Sequence, residues 1–399
     1  MRRYITILLI AIAFAAQAQT IKQLKQDMYG IASDATEGRF TASPGYLKAA
    51  KYVLKTLKTA GIKAYLQPVP FSWDDYTGSK VTIKGKTYLH NPQNFIVMQR
   101  GMTGPGKWIV LAPGDSVTGK PAGVVLLPNK DQAKDWETTM IRQYRFGYMH
   151  YLPDGVNRPE GIPTVMASPL LAKMLVAGDS VTVKLNYRPE SKTGYNVIGK
   201  VPGTSPKMSH QAIVVGAHLD HIGRIGKHIY NGANDDASGC AAELGAAKIL
   251  AAHPGKRPVI FAFFCGEELN LKGSRWFADH LPVPQSDILM TVNLEQLGSK
   301  HRSFKGVWAL GDPQFKTAFM TAGKSFAASD LQFSPTDSVK EVLSNTDTYS
   351  FMNRHIPSLL LGSGGFDEHH TPQDKINLTD FPHLQKATQL LYTFLRSDF

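Results

Sequence analysis

The chain has 399 residues and a formal net charge of +12, with 43% hydrophobic and 19% charged residues. This composition is that of an ordinary globular protein and excludes a collagen-like or disordered chain. Its Lys and Arg residues are scattered and accompany no nucleic-acid-binding motif, so the charge predicts a basic surface and no nucleic-acid partner.

The first segment, residues 1–18, is typical of a secretory signal peptide. Two arginines precede a short apolar run, residues 5–14, and Ala16-Gln17-Ala18 matches a small-x-small cleavage site. The run is too short for a membrane anchor, and no later stretch is apolar enough to be a transmembrane helix. We therefore expect a periplasmic or secreted chain that starts near Gln19 and has no stable membrane insertion.

The next part of the chain changes from helical to β-rich. Residues 21–63 look helical, with Ser43-Pro44-Gly45 opening one segment of apolar residues at helical spacing. A strand is predicted at 63–71. Residues 74–190 then carry many Gly and Pro residues and short β-like runs, which predict a separable β-rich inserted domain.

From Tyr195 onward, apolar runs alternate with helical segments. The predicted strands are 212–216, 258–264, 287–294 and 358–361, and the predicted helices are 238–252 and 385–395. Near-continuous apolar runs are typical of strands buried in a parallel or mixed sheet. The alternation predicts an α/β sandwich formed by residues 19–73 and 191–399.

Acidic and imidazole residues follow the ends of these apolar runs, where α/β enzymes place their ligands. Taken singly, each has a structural explanation, such as helix capping by an aspartate. Taken together, mixed nitrogen and oxygen ligands suit a pair of zinc ions bridged by one aspartate. In chain order the residues are His218, Asp220, Asp235, Asp236, Glu267, Glu268, Glu295, His369 and His370.

The order of these motifs resembles that of the M28 metallopeptidases, a leucine aminopeptidase-like family. The matching motifs are His-x-Asp, Asn-Asp-Asp-x-Ser-Gly, Gly-Glu-Glu, Asn-Leu-Glu and His-Thr-Pro-x-Asp. The resemblance covers residues 30–73 and 194–399, and 74–190 is more loosely similar to a protease-associated (PA) domain. It implies the zinc-dependent exopeptidase fold, a three-layer α/β/α sandwich with a central mixed sheet.

The resemblance also implies a site with two Zn2+ per chain. Asp235 would bridge the ions, His218 and Glu268 would each bind a different one, and Glu295 and His370 would complete the two shells. Glu267 would be the general base and acid in the hydrolysis of N-terminal residues from peptide substrates.

Three further residues carry supporting roles by the same resemblance. Asp220 would orient His218, and Asp236 would follow Asp235 through a cis peptide bond. His369 stands where several relatives carry a tyrosine, which makes it a candidate donor to the developing oxyanion. Thr346-Asp347-Thr348 replaces the Ser-Asp-His of many relatives, a change that concerns the substrate pocket.

Several alternatives stay open on the sequence alone. A glutaminyl cyclase-like transferase shares the fold but uses one zinc, a carboxypeptidase or dipeptidase shares the family, and some relatives are binding modules without metal. The sequence does not specify the preferred N-terminal residue or the oligomeric state. Cys240 and Cys265 are read as buried free thiols, with a single disulfide as the alternative.

Overall fold

A computed structural model describes residues 20–91, 93–99, 107–136, 149–150, 161–186, 188–326, 331–332 and 339–399. The predicted signal peptide lies outside the described residues. Within them, no helix is both long and apolar enough to cross a membrane. The chain divides into two compact units, Met1–Val69 with Gly194–Phe399, and Pro70–Thr193.

Helices make up much of the first unit. The α-helices of the described chain are Ile21–Ala32, Pro44–Thr59, Lys130–Lys134, Pro169–Ala172, Ser238–Ala252, Lys272–Asp279, Pro313–Ala322, Val339–Ser344, Thr348–Met352 and Phe381–Arg396. Short single turns lie at Asp34–Arg39, Pro206–Met208, Gln285–Asp287, Gly323–Ser325 and Ile376–Leu378.

One mixed sheet runs through the first unit. Its order is Leu331–Gln332, Val307–Gly311, Ser358–Gly362, Ile288–Glu295, Ala212–His218, Val259–Phe264, Arg188–Val201 and Lys63–Asp75. The four strands from Ser358–Gly362 to Val259–Phe264 are parallel. The strands on either side of these four are antiparallel to them.

The two central strands explain the apolar runs in the sequence. Every residue of Ala212–His218 and of Val259–Phe264 is buried, as expected for parallel strands covered on both faces. On one face, the ring of Phe264 lies 5.6 Å from that of Phe277 in the Lys272–Asp279 helix. The Ser238–Ala252 helix also contacts the central strands. The structure confirms the predicted α/β sandwich with its central mixed sheet.

The second unit has its own sheet and core. Its order is Lys86–Leu89, Lys80–Ile83, Ser180–Lys184, Trp108–Leu111, Gly123–Leu126, Thr164–Ala167 and Phe95–Gln99. In addition, Met149–His150 pairs with Ser72 and Trp73. Buried residues such as Phe95, Val110 and Val165 form the core of the unit. Its likeness to a PA domain stays a prediction.

The N-terminal helical region differs from its prediction, because the chain leaves the helix at Ser33. The following turn contains Glu37 at φ 49° and Gly38 at φ 70°. A Cβ at Gly38 would lie 2.4 Å from the carbonyl oxygens of Gly223 and Tyr230. Glycine therefore permits this close approach, which brings the turn against the loop that follows the Ala212–His218 strand.

Candidate metal centre

Parallel pairing brings the candidate ligands to one edge of the sheet. Gly216 pairs with Asn293, so that His218 and Glu295, each two residues further on, lie at the same level. His218 also pairs with Phe264, the last residue before the turn that carries Glu267 and Glu268. The sheet register thus gathers residues that are far apart in sequence.

The first cluster contains His218, Asp235 and Glu295. Nε2 of His218 lies 3.1 Å from Oδ1 of Asp235 and 3.7 Å from Oε2 of Glu295. All three residues are buried, and one ligand atom from each lies within 4.8 Å of the others. This spacing fits a zinc ion, because tetrahedral ligands about 2.0–2.2 Å from zinc lie about 3.3–3.6 Å apart.

The second cluster shares Asp235 and contains a histidine that the sequence analysis missed. Nε2 of His370 lies 3.2 Å from Oδ2 of Asp235 and 3.3 Å from Oε1 of Glu268. Nδ1 of His221 lies 2.7 Å from the same Glu268 oxygen. Because Asp235 presents Oδ1 to one cluster and Oδ2 to the other, its geometry suits a bridging ligand.

Several carboxyl groups are buried close together at this edge of the sheet. Burial raises the pKa of Glu295 well above its usual value, and nearby Asp236 adds to the increase. Burial also acts to raise the pKa of Asp235, but hydrogen bonds from His218, His369 and His370 hold it well below its usual range. Buried carboxylates of this density call for a counter-charge, and imidazole and carboxylate donors are those that zinc accepts.

Asp220 supports the site differently from its prediction. Nδ1 of His218 lies 3.1 Å from the main-chain carbonyl of Asp220, whereas the Asp220 carboxylate is 3.9 Å away. The carboxylate instead accepts hydrogen bonds from the backbone N–H of Glu267 and the hydroxyl of Thr41, at 3.1 and 3.0 Å. Asp220 therefore orients His218 through its backbone and holds the turn of Glu267 through its side chain.

The segment around Asp235 is held from several sides. The peptide bond between Asp235 and Asp236 is cis, as the resemblance predicts. Oδ1 of Asp236 accepts from the backbone N–H groups of Gly239 and Gln296, so it ties the Ser238–Ala252 helix to the residue after Glu295.

The carboxylate of Asp374 holds the other side of this segment. It accepts from the backbone N–H groups of Asn234 and Asp235 at 2.8 and 3.0 Å. Asp374 therefore fixes the main chain of the candidate bridging ligand. It belongs to the His-Thr-Pro-x-Asp motif, so one motif supplies both His370 and this support.

Arg39 fixes the loop between the Ala212–His218 strand and the Asn-Asp-Asp-x-Ser-Gly motif. Its guanidinium is fully buried and donates to the main-chain carbonyls of Leu219, Asn231 and Gly232. Burial lowers the pKa of this guanidinium. The Arg39 carbonyl in turn accepts from the backbone N–H of His221 at 3.2 Å. These bonds connect residues 34–39, which lie within the range that the family resemblance covers, to the loops of the site.

His369 and His370 lie on the exposed side of the site. Their rings stack at a centroid distance of 3.9 Å, and their side chains are 45% and 40% exposed. Nε2 of His369 lies 3.1 Å from Oδ2 of Asp235. His369 therefore adjoins the candidate bridging carboxylate, and its role as an oxyanion donor stays a prediction.

Glu267 lies beside the first cluster. Its Oε2 is 4.0 Å from Nε2 of His218, and the side chain is 15% exposed. Burial raises the pKa of Glu267 well above its usual value, and the charges of Glu268, Glu295 and Asp347 add to the increase. Burial likewise raises the pKa of Asp347 to about 7. A carboxyl of raised pKa next to a ligand set is suited to accept and return a proton near neutral pH.

Both cysteines are buried free thiols, which agrees with the simpler of the two sequence predictions. Sγ of Cys240 donates to the main-chain carbonyl of His218 at 3.2 Å. Burial raises the pKa of the Cys240 and Cys265 thiols well above their usual value. Both are therefore unreactive core residues rather than ligands.

The strand ends of this mixed sheet bring imidazole and carboxylate groups together around a shared aspartate. This arrangement is that of a metallohydrolase of the α/β class. The family model for peptidase family M28 matches residues 196–395. The chain belongs to this family.

Known relatives are consistent with this assignment. The chain is 28% identical over 301 residues to a probable lipoprotein aminopeptidase of Mycobacterium tuberculosis, a match that covers 68% of this chain and 57% of that protein. Among the first curated relatives, matches span 25% to 58% of the relative's length.

Two solved structures have a similar fold. A zinc aminopeptidase from Bacillus subtilis matches with a TM-score of 0.68 and 18% identity, over 94% of each chain. A glutaminyl cyclase from Porphyromonas gingivalis matches with a TM-score of 0.51 and 12% identity, over 94% of this chain and 97% of that one. The fold alone therefore does not select the reaction.

Proposed function

We propose that this protein is a dinuclear zinc aminopeptidase that removes N-terminal residues from peptides. The observation that carries the proposal is the position of Asp235, which offers one carboxylate oxygen to each of two ligand clusters. A transferase with a single zinc has no need of two clusters that share an aspartate. The metal-free alternative predicts lost ligands, whereas all five predicted ligands are present.

The chain's own residues would hold the two ions. His218 and Glu295 would bind one ion, Glu268 and His370 the other, and Asp235 both. When bound, the ions supply Lewis acidity at the scissile carbonyl and lower the pKa of the attacking water. Asp220, Asp236 and Asp374 keep the ligand-bearing turns in place through the bonds described above.

Glu267 would move the proton. Its carboxylate lies at the edge of the first cluster, and the side chain is 15% exposed. It would take a proton from the attacking water and transfer it to the departing amine. The backbone N–H of Glu267 donates to Asp220, so this side chain starts from a fixed position.

A cavity next to Glu295 suggests the class of N-terminal residue. It has a volume of about 310 Å³. Most of its wall is apolar, so we propose that it receives a large apolar side chain of the first substrate residue. Its apolar lining includes Phe304, Trp308, Leu310, Val342 and Leu360.

The function is tested by incubating the purified chain with zinc and a panel of peptides with free or acetylated N-termini. We expect single residues to be released from the free amino end, fastest for Leu, Phe and Met, and no cleavage of acetylated peptides. Release of C-terminal residues would support the carboxypeptidase alternative. Ammonia release from N-terminal Gln peptides without hydrolysis would support the cyclase. Binding without turnover would support the non-catalytic alternative.

Gly365 permits a sharp test of the cavity. It lines the cavity, and a Cβ added to it would meet nothing within 4 Å. We therefore expect Gly365→Ala, Gly365→Val and Gly365→Leu to fold and to fill the cavity progressively. The kcat/KM for an N-terminal Leu should fall by about 10-fold or more in Gly365→Leu, since each excluded methylene is worth about 1–3 kcal/mol. The kcat/KM for an N-terminal Ala substrate is the control and should change little. Equal losses on both substrates would place the substrate side chain elsewhere.

We also propose that the chain is exported, since residues 1–18 have the pattern of a cleaved signal peptide. The mass of the protein recovered from periplasm or medium should then correspond to a start near Gln19. Residues 74–190 are proposed to be a PA-like inserted domain, whose task the sequence does not reveal.

A further inference from the structure

His221 is a buried imidazole that faces the centre of the second cluster. Its Nδ1 lies 2.7 Å from Oε1 of Glu268 and 3.7 Å from Oδ2 of Asp235, and the residue has no exposed surface. One ligand atom from each of His221, Asp235, Glu268 and His370 lies within 4.8 Å of the other three. The ring is therefore a full member of this cluster.

Packing alone does not account for this ring. Within the described part of the chain, Nδ1 of His221 is buried, and its only close polar neighbours are the carboxylate oxygens of Glu268 and Asp235, outside normal hydrogen-bond geometry. Buried polar groups without partners are rare and call for an explanation such as an ion.

Two main-chain contacts hold the His221 ring in this position. The N–H of His221 donates to the carbonyl of Arg39 at 3.2 Å. Gly232 lies against the imidazole, and a Cβ there would come within 2.4 Å of the ring Cγ. Glycine at this point leaves the space that the His221 ring occupies.

The ligand separations lie around those of a tetrahedral shell. Nε2 of His370 is 3.3 Å from Oε1 of Glu268 and 3.2 Å from Oδ2 of Asp235, and the corresponding His221 distances are 2.7 and 3.7 Å. A zinc ion with four ligands at about 2.0–2.2 Å has ligand pairs about 3.3–3.6 Å apart. Both histidines thus contact the same two carboxylates, with His221 closer to Glu268 than to Asp235.

We infer that His221 is a fourth protein ligand of the ion held by Asp235, Glu268 and His370, so that the two metal positions are unequal. This inference rests on the proposed two-ion function. The position with four protein ligands is closed and binds zinc tightly. The position with His218, Asp235 and Glu295 has three, which leaves a place for water or substrate, as in catalytic zinc sites. Glu267 lies beside this second, open position.

Zinc titration of the chelator-stripped full chain tests the inference. Wild type should bind two zinc ions with two separate dissociation constants. His221→Phe should weaken the tighter constant more than 100-fold and change the weaker one less than about threefold. Loss of an outer-shell partner costs about 10–100-fold, so a larger loss distinguishes a ligand from a positioning residue. His218→Phe should remove only the weaker binding event.

The exposed His253, which is at the end of the Ser238–Ala252 helix, supplies the matched control. His253→Phe should leave both constants unchanged.

A measurement on wild type guards against a variant that fails to fold. X-ray absorption of the protein carrying one zinc should show two imidazole nitrogens at about 2.0–2.1 Å.

The inference is overturned by equal wild-type constants, by a loss of 100-fold or less in His221→Phe, or by a single imidazole in the one-zinc form. Failure of the proposed function gives a different result. In that case wild type binds fewer than two zinc ions, or binds two and releases no N-terminal residues. A wild type that binds two ions while His221→Phe behaves like His253→Phe contradicts this inference alone.

Discussion

The Glu267→Gln variant is expected to keep two zinc ions per chain and to lose about 10²–10⁴-fold in kcat. The amide preserves the size of the side chain but cannot accept the proton of the attacking water. The ligand clusters do not use Glu267, so its loss should not release metal. The comparison requires zinc content by elemental analysis together with kcat on an N-terminal Leu substrate.

Glu190→Gln is a suitable control for this variant. Glu190 pairs with Arg188 and Lys192 and contacts none of the candidate ligands. The Glu190→Gln variant should keep both zinc ions and the wild-type kcat. A Glu267→Gln protein with the wild-type kcat would show that the proton is carried by another group, whereas one that also loses zinc would make Glu267 a ligand.

The Asp235→Asn variant is expected to lose both ions, and with them about 10³-fold or more in kcat/KM. Metal ions contribute several kcal/mol to the transition state, and each 1.36 kcal/mol is tenfold in rate. Asn keeps the shape of the side chain, but its amide offers only one acceptor oxygen where both carboxylate oxygens face ligand clusters.

Glu295→Gln is the informative partner for this test, because Glu295 belongs to only one cluster. It should bind one zinc where Asp235→Asn binds none. Asp279→Asn, a change at an exposed residue paired with Arg354, should bind two. If Asp235→Asn and Glu295→Gln lost the same single ion, Asp235 would not be the bridge.

The strand pattern made much of the fold predictable from sequence. Parallel strands buried on both faces need continuous apolar runs, and the predicted strands at 212–216 and 258–264 agree with Ala212–His218 and Val259–Phe264 within two residues. The Val307–Gly311 strand and the Lys272–Asp279 helix were not predicted. Short strands and short helices carry weaker periodicity, and their place depends on packing that sequence does not display.

The convergence of the candidate ligands follows from the same pattern, because parallel strands end at one edge. What sequence could not supply were contacts between distant segments. Arg39 donates to carbonyls 180 to 193 residues away, and such backbone acceptors leave no mark in the sequence. The Asp220 carboxylate likewise serves Glu267, 47 residues on, rather than His218.

His221 could have been found. It lies one residue after Asp220 in His-Leu-Asp-His, close enough in the chain to share a site with His218. The motif that the family resemblance supplies ends at Asp220, and a second histidine at a strand end is often structural. Its burial and its distances to Glu268 and Asp235 became visible only in three dimensions.

Anomalous diffraction at the zinc edge from crystals of the zinc-loaded chain tests the central claim most directly. Two peaks about 3.5–4 Å apart are expected. One should lie between His218 and Glu295, the other between Glu268 and His370, with Asp235 touching both. A single peak, or peaks away from Asp235, would contradict the account.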